Sequence, residues 1–585
     1  MCGIAAFLAA SPQAPPVDAE SLARVSASMA KRGPDGHGLW LSDHRRVGLA
    51  HRRLAILDLS EAGAQPMASA DGRLAMVFNG EIYNFAQLRR ELEQGGVRFR
   101  SQTDTEVILE LYRRDGIAML GRLRGMFAIA LWDSERQGLL LARDPFGIKP
   151  FYVAEGGDGT LRAASQVKAL LAGGGIDTSP DPAGHAGFFL WGHVPEPHTL
   201  YRGIRALPPG SWLWQGLDGE RREGTFFDLS TELRQPRSVA GVDLKAALTD
   251  SVAYHMIADV PVGVFLSAGL DSTTLAALAA RQSPHRLLTI TLGFSEFEGR
   301  PQDEVPLAEL AGHHFGTDHT TVRIHGHEFA ARRDQILADM DQPSIDGVNV
   351  WFVARAAARA GLKVALSGLG GDELFGGYDN FRTIPRLVAA LGTLGTVPAL
   401  GRGFRWLTAP LARRLAKPKL AGILELGTSL SDAYLLRRGL FMPWELPEVM
   451  DTDMARAGLQ SLAPRLRLAE AAAGMPDSQM ALSALEMQFY MRNQLLRDAD
   501  WAGMAHSLEI RVPLVDTALL GAVLALHAGG VMPTKRLMAA CAEPALPSAI
   551  LERPKTGFSV PVAHWLGETS LRGWARRVYS TFTMT

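Results

Sequence analysis

Cysteine is the scarcest residue of this chain, with two in 585, at positions 2 and 541. That scarcity excludes a disulfide framework and a cysteine-built zinc site, and it fits a reducing compartment, so the cytoplasm is the expected location. Excess charge is missing too. Sixty Lys and Arg stand against 61 Asp and Glu, a net charge of −1. Neither a nucleic-acid nor a membrane partner is therefore expected from bulk electrostatics. No basic region precedes the opening "CGIAAFLAA", and Pro12, Pro15 and Pro16 follow at once, unlike a secretory signal. Long apolar runs are absent as well. The uncharged stretches 387–401 and 517–534 are interrupted by Gly and Pro and fall short of the ~20 apolar residues of a spanning helix. Both read as buried helices or helix–turn pieces. The sixteen His show no metal-ligand spacing, and the adjacent pair His313 and His314 cannot share one helix face.

The length calls for at least two domains. Up to about residue 210, short apolar runs such as "RLAMVFNGEIYNF", "GMFAIALWD" and "GLLLARD" are bounded by Gly, Asp and Asn and read as antiparallel-type strands. "DTEVILELYRRDG" has helical spacing and a closing Gly116. A Pro-rich segment and "RQPRSV" mark the boundary, placing one domain at 2–215, a linker at 216–239 and a second domain at 240–585. From 240 the order becomes helix, buried strand, Gly-rich turn, helix, repeated. That predicts a parallel sheet with helices on both faces and ligands at the carboxyl ends of its strands. Beyond about 385 the pattern is mostly helical, a C-terminal extension.

Alone, Cys2 would be a small residue at a strand start. Its company changes that reading. If the initiator Met is removed, the α-amino group sits a few bonds from the thiol, a nucleophile with a base attached. "NGEIYN" at 79–84 offers the Asn79 side chain and the Gly80 N–H as donors for a developing oxyanion. Arg53 in "HRRL", with the carboxylates Glu81 and Asp104, supplies what holds an amino acid's two charged ends.

A second group of motifs suits phosphate. "FLSAGLDSTT" at 265–274 places a Gly turn between strand and helix, exposing backbone N–H groups at a helix start, with Asp271 able to meet Mg²⁺. "SGLGGDELFGGY" at 367–378 repeats the arrangement after another apolar strand. "RPKTGFSVPVAHWL" at 553–566 puts Lys555 in a Gly- and Pro-punctuated loop. The charges of 497–516 read as a solvated helix face followed by a strand.

Together, Cys2-Gly3-Ile4, "KRGPDG", "HRRLAILDL", "NGEIYN" and "RDPFGIKPFY" resemble the glutaminase domain of class II amidotransferases. The two Gly turns resemble the pyrophosphatase-loop ATP site of asparagine synthetases and their relatives. The resemblance implies an α+β N-terminal-nucleophile domain, an αββα sandwich, followed by the α/β synthetase domain. It implies Cys2 as nucleophile, Asn79 and Gly80 as oxyanion hole, and Arg53, Glu81 and Asp104 as glutamine-binding residues. ATP would lie on Leu266, Ser267, Gly269, Leu270, Asp271, Ser272, Leu292, Ser367 and Gly368, with Mg²⁺ on Asp271 and Asp372. Glu373 would assist the incoming amine and Lys555 would stabilise charge at the adenylate.

The implied reaction makes asparagine from aspartate, glutamine and ATP through a β-aspartyl adenylate, with ammonia crossing between the domains. The path is expected to be a tunnel lined by small and apolar side chains, and the resemblance is compatible with a homodimer. Two positions depart from the family pattern: Ala268 replaces a Gly, and Leu369 stands where several members have an acid. Leu369 keeps open a relative acting on another carboxylate, such as a cell-envelope sugar acid. A binding relative without catalysis is the other alternative.

Overall fold

The computed structural model describes residues 2–583, apart from 238, 240, 394–397, 416, 554–559 and 569. The strand Gly3–Ala9 illustrates how the first domain is built. Side chains alternate faces along a strand. Ile4, Ala6 and Leu8 enter an inner apolar layer, whereas Ala5 and Phe7 face outward under helices. The strand belongs to a six-stranded antiparallel sheet, in the order Ile204–Ala206, Tyr152–Glu155, Thr160–Ala164, Gly3–Ala9, Val47–Arg53, Gly36–Leu41. A second six-stranded antiparallel sheet runs Arg221–Thr225, Ser211–Gly216, Gly138–Arg143, Gly125–Asp133, Leu74–Ile82, Met67–Ala68.

The inner faces of the two sheets share one apolar layer, with Ile4, Leu49 and Leu161 on one side and Val77, Ala130 and Leu141 on the other. Helices Ala19–Ser28 and Val167–Gly173 cover the first sheet, and Phe85–Gln94 and Asp104–Asp115 cover the second. The result is the αββα sandwich. Residues 216–239, read from the sequence as a linker, contain the strand Arg221–Thr225, which completes the second sheet, and the helix Leu229–Arg234.

The third sheet is wholly parallel, in the order Asp318–Ile324, Leu288–Phe294, Val262–Phe265, Val364–Leu366, Glu509–Arg511. Its two faces are covered separately. Helix Leu270–Gln282 packs on one face through Leu275, Ala276 and Leu278, together with Val264 and Leu366. Helix Val348–Arg359 covers the other through Ala354 and Ala357, against Ile290, Ala365 and Ile510. Most of the chain beyond 385 is helical, as its pattern predicts.

Two expectations are overturned. The charges of 497–516 do lie on a helix, Arg497–Met504, and a strand, Glu509–Arg511, but they are not solvated: Arg497, Asp498, Asp500, Glu509, Arg511 and Asp516 are all buried. Several of their partners come from distant parts of the chain: Arg32 for Asp500, Glu81 for Arg511 and Arg124 for Asp516. Residues 387–401 are not buried as a whole either. Among those described, Ala389, Ala390, Ala399 and Leu400 are exposed, whereas helix Thr517–Ala528 does bury Leu519, Leu520, Val523 and Leu524.

Candidate active sites

The nucleophile candidate lies just ahead of the central strand Gly3–Ala9, whose register pairs Gly3 with Arg52. That register brings Cys2 beside the end of the Val47–Arg53 strand. The Cys2 backbone N–H donates to Asn79 Oδ1 at 2.9 Å. With Oδ1 committed as acceptor, the Asn79 amide has its Nδ2 donor left, and that nitrogen is buried with no hydrogen-bond partner among the described residues. An orphaned buried donor costs about 1–3 kcal/mol, so its presence needs an occupant to justify it. A developing oxyanion beside the thiol is such an occupant. Burial pushes the Cys2 thiol up from its ordinary range, so an adjacent base is required to deprotonate it.

Around this point the other predicted residues converge. Gly80 follows Asn79 in the strand Leu74–Ile82, and a Cβ there would come within 2.0 Å of the Met126 carbonyl oxygen, so only Gly fits. Arg53 is aimed by the 58–63 loop: its guanidinium donates to the Ser60 carbonyl at 2.8 Å and to that of Asp58. Asp104, at the start of helix Asp104–Asp115, accepts from the Ile82 N–H at 2.9 Å. Burial raises its carboxyl to about 6.

No local motif announces what lies behind Glu81. Arg511, from the edge strand of the other domain, approaches Glu81 Oε1 at 3.1 Å and donates to Glu509 Oε1 at 2.6 Å. It also donates to the carbonyls of His255 and Ile257 at 2.9 and 2.6 Å. Two buried carboxyls on one guanidinium divide the charge. Burial drives Glu81 well above the carboxylate range, while for Glu509 burial is outweighed by the positive chain terminus and Arg511, which hold it low. Arg32 makes a parallel link. Its Nε donates to the Cys2 carbonyl at 3.0 Å and its fork clamps Asp500 at 2.7 and 2.9 Å.

The second constellation sits at the carboxyl ends of the parallel strands. Helix Leu270–Gln282 begins at Gly269 with no side chain capping it, so its first N–H groups remain available to an anion. The turn before it is held by Ser267 Oγ and Ser272 Oγ at 2.8 Å, and by the Gly269 N–H donating to Ser267 Oγ at 3.1 Å. Leu266, Leu270 and Leu292 are apolar neighbours of this turn, with the Leu266 N–H donating to the Ile290 carbonyl at 2.9 Å. The second loop comes close to the first: a Cβ on Gly371 would lie 2.4 Å from Asp271 Oδ1, and Gly370 takes φ +91°, where a side chain is strained.

Ser367 and Gly368 start this second loop, and the Ser367 N–H donates to the Arg511 carbonyl at 2.8 Å. Arg511 therefore touches the 367–378 loop with its backbone and Glu81 of the sandwich domain with its side chain. Asp271 and Asp372 face each other across Lys535, whose Nζ pairs with Asp271 and lies 2.8 Å from Asp372 Oδ1. Lys535 carries no motif around it in the sequence. Glu373 is buried and accepts from the Tyr378 hydroxyl at 2.7 Å; burial, with Asp372 alongside, raises its carboxyl to about 7. Lys555 falls outside the described residues. Leu369 packs against the apolar clusters flanking the sheet, and Ala268 is buried.

Among the described residues no three His, Cys, Asp or Glu cluster as a ready-made metal cage. Two carboxylates close enough to share one ammonium do fit a hard divalent ion that draws its other ligands from phosphate oxygens.

Comparison with known proteins agrees with this two-part construction. A glutamine amidotransferase domain model matches residues 1–226 and an asparagine synthase model matches 243–583. The putative glutamine-hydrolyzing asparagine synthetase of Mycobacterium tuberculosis is 36% identical over 98% of this chain and 90% of its own. Asparagine synthetase 1 of Bacillus subtilis is 32% identical over 99% of this chain and 90% of its own. An amidase of Gibberella zeae is 30% identical over 65% of this chain and 60% of its own. The chain thus belongs to the asparagine synthase family, as an enzyme of the ligase class with a glutamine amidotransferase domain at its N-terminal end.

Proposed function

We propose that the chain makes asparagine from aspartate, glutamine and ATP. The observation that carries this reading is the buried, unpartnered Asn79 Nδ2 beside Cys2, in a domain tied through Arg511 to a phosphate-binding loop pair. Cys2 attacks the glutamine amide, its freed α-amine takes the thiol proton, and Asn79 and Gly80 hold the oxyanion. Arg53 holds the glutamine carboxylate, and Glu81 and Asp104 its ammonium. The carbon–nitrogen bond breaks as the α-amine returns the thiol proton to the leaving ammonia. Water hydrolyses the resulting Cys2 thioester to release glutamate, and ammonia passes to the second domain. There Ser267, Gly269, Leu270, Ser272, Ser367 and Gly368 seat ATP, with Leu266 and Leu292 as apolar walls. The aspartate side-chain carboxylate attacks the α-phosphate, and pyrophosphate leaves. Mg²⁺, held by Asp271 and Asp372 with phosphate oxygens, would neutralise charge on the departing pyrophosphate. Ammonia attacks the adenylate, Glu373 accepts a proton from it, and asparagine and AMP result.

The junction the ammonia must cross has apolar members from both domains, including Tyr83, Met126 and Phe146 beside Leu374, Met487 and Val512. Arg511, Glu81 and Glu509 lie next to them.

The test supplies glutamine and ATP-Mg, varies the carboxylate and measures pyrophosphate. Release with aspartate and not with other acids is the expected result; silence with aspartate overturns it. A second reading, another carboxylate acceptor, is favoured by Leu369, which puts an apolar group where several relatives have an acid. Strong release with a different acid would establish it.

Glu373 gives a sharper prediction. A carboxyl held at about 7 is ionised, and so able to accept a proton, only above that pH. Amide formation should rise through pH 7 to a plateau. Glu373→Gln should lose amide formation by about 10²–10⁴-fold while adenylation, read as pyrophosphate–ATP exchange, continues. Equal loss of both would assign Glu373 to ATP binding instead.

A further inference from the structure

Charge is nearly balanced over the whole chain, yet between residues 380 and 424 there are eight Lys and Arg and no acidic residue. The centre of this segment is the helix Pro398–Arg414. One side of it is attached to the body of the protein. Ala412 is buried, Arg405 Nε donates to Glu425 Oε2 at 2.5 Å, and the Arg405 guanidinium stacks 4.8 Å from the Trp444 ring. A Cβ on Gly401 would lie 2.7 Å from the Glu425 Cα, so backbone meets backbone there. Nothing among the described residues covers the opposite side. Trp406 is 79% and Leu407 84% exposed, and Leu400, Leu411 and Leu415 are also exposed. Scattered exposed apolar residues are ordinary; a Trp and several Leu on one helix face are not. Arg402 and Arg414 are exposed on the same helix, and Lys417 just beyond it.

We propose that this helix is an interfacial anchor that seats the protein on an anionic lipid surface. A helix with Trp and Leu on its outer face and Arg and Lys beside them is the form that lies in the plane of a bilayer, apolar side among the acyl chains and cations at the headgroups. No helix among the described residues is long and apolar enough to cross a membrane, so the contact is one of lying on the surface. Charge decides between occupants. A second copy docked by the same face about a two-fold axis would set two acid-free, cationic segments against each other, whereas anionic headgroups neutralise them. Overall neutrality, which argued against a membrane partner at the level of composition, does not describe this segment.

The test is co-sedimentation of the full chain with vesicles of phosphatidylcholine alone and with 30 mol% phosphatidylglycerol, at low and high salt. The expected result is at least about tenfold more protein pelleted with the anionic vesicles, reduced by salt. Trp406→Ser with Leu407→Ser, and separately Arg402→Glu with Arg414→Glu, should each lower that binding about tenfold while ammonium-driven pyrophosphate release is unchanged. Equal pelleting with both vesicles, none with either, or full binding by both double variants would overturn the proposal. So would a wild type that sediments as a dimer without lipid while Trp406→Ser with Leu407→Ser sediments as a monomer, since the face would then belong to a second copy.

Discussion

Cys2→Ala should lower glutamine-driven synthesis by at least about 10³-fold and leave synthesis from ammonium salts within about twofold of wild type. The asymmetry follows from the construction. The thiol lies on the sandwich domain, whereas the two Gly-rich loops proposed to seat ATP and the acceptor lie at the parallel sheet. Removing one sulfur deletes the nucleophile and leaves the Arg32 bond to the Cys2 carbonyl in place, because that bond uses backbone. The second domain then still forms its adenylate and still meets ammonia, now from solvent. Asn79→Ala should act on the same half-reaction more mildly, by about 10²–10³-fold, because it removes one oxyanion donor and not the nucleophile. The measurement is paired asparagine formation from glutamine and from ammonium chloride, with intact-mass analysis of the N-terminus. Loss of both activities in Cys2→Ala, or an initiator Met retained on active protein, would make Cys2 a structural residue.

The parts of the sites that were legible in the sequence share one property: they are local. Cys2, 79–84, 265–274 and 367–378 each carry their chemistry within a few residues, and the flanking apolar runs place them at strand ends. The strand alternation that separates Ile4 from Ala5 likewise sits within one heptapeptide. What was not legible depends on partners far along the chain. Arg32 and Asp500 are 468 residues apart, and either one alone reads as a surface charge. The same holds for Arg511, whose two carboxylates lie 2 and 430 positions away. Charged side chains enter a core only with their counterions, so burial there is a property of the pair and not of the segment. Lys535 was hidden for the same reason: an isolated Lys gains meaning only when two loops deliver Asp271 and Asp372 to it. The stretch 387–401 failed differently. Its lack of charge suggested burial, but Leu387, Val388 and Gly401 turn inward while Ala389, Ala390, Ala399 and Leu400 face out, and composition does not tell an interior from an unpartnered face.

Arg511→Met should be the most destabilising substitution at the junction. The guanidinium is fully buried, forms an ion pair with Glu81, and donates to Glu509 and two backbone carbonyls. Met fills much of the same volume but supplies no donor. Glu81 is left without its guanidinium in a dry site, Glu509 loses one of the cations that hold it, and the carbonyls of His255 and Ile257 lose their partner. Removing one member of a buried ionic cluster typically costs about 3–5 kcal/mol, because the remaining charge cannot be solvated. The loss should therefore appear as a thermal midpoint lower by several degrees, and as greater protease sensitivity at the domain junction. Function should suffer in a characteristic order. Glutamine-driven synthesis falls first, since Glu81 loses its position; ammonium-driven synthesis falls less, because the Ser367 bond to the Arg511 carbonyl is backbone and survives.

A second substitution separates charge from packing. Glu81→Gln in the Arg511→Met background removes the carboxyl that has lost its guanidinium, and the pair should be less destabilised than the sum of the single changes by about 0.5–3 kcal/mol. Additive losses, or an Arg511→Met protein as stable as wild type, would mean that the cluster is solvated in solution and that the two domains are joined by their apolar contacts alone.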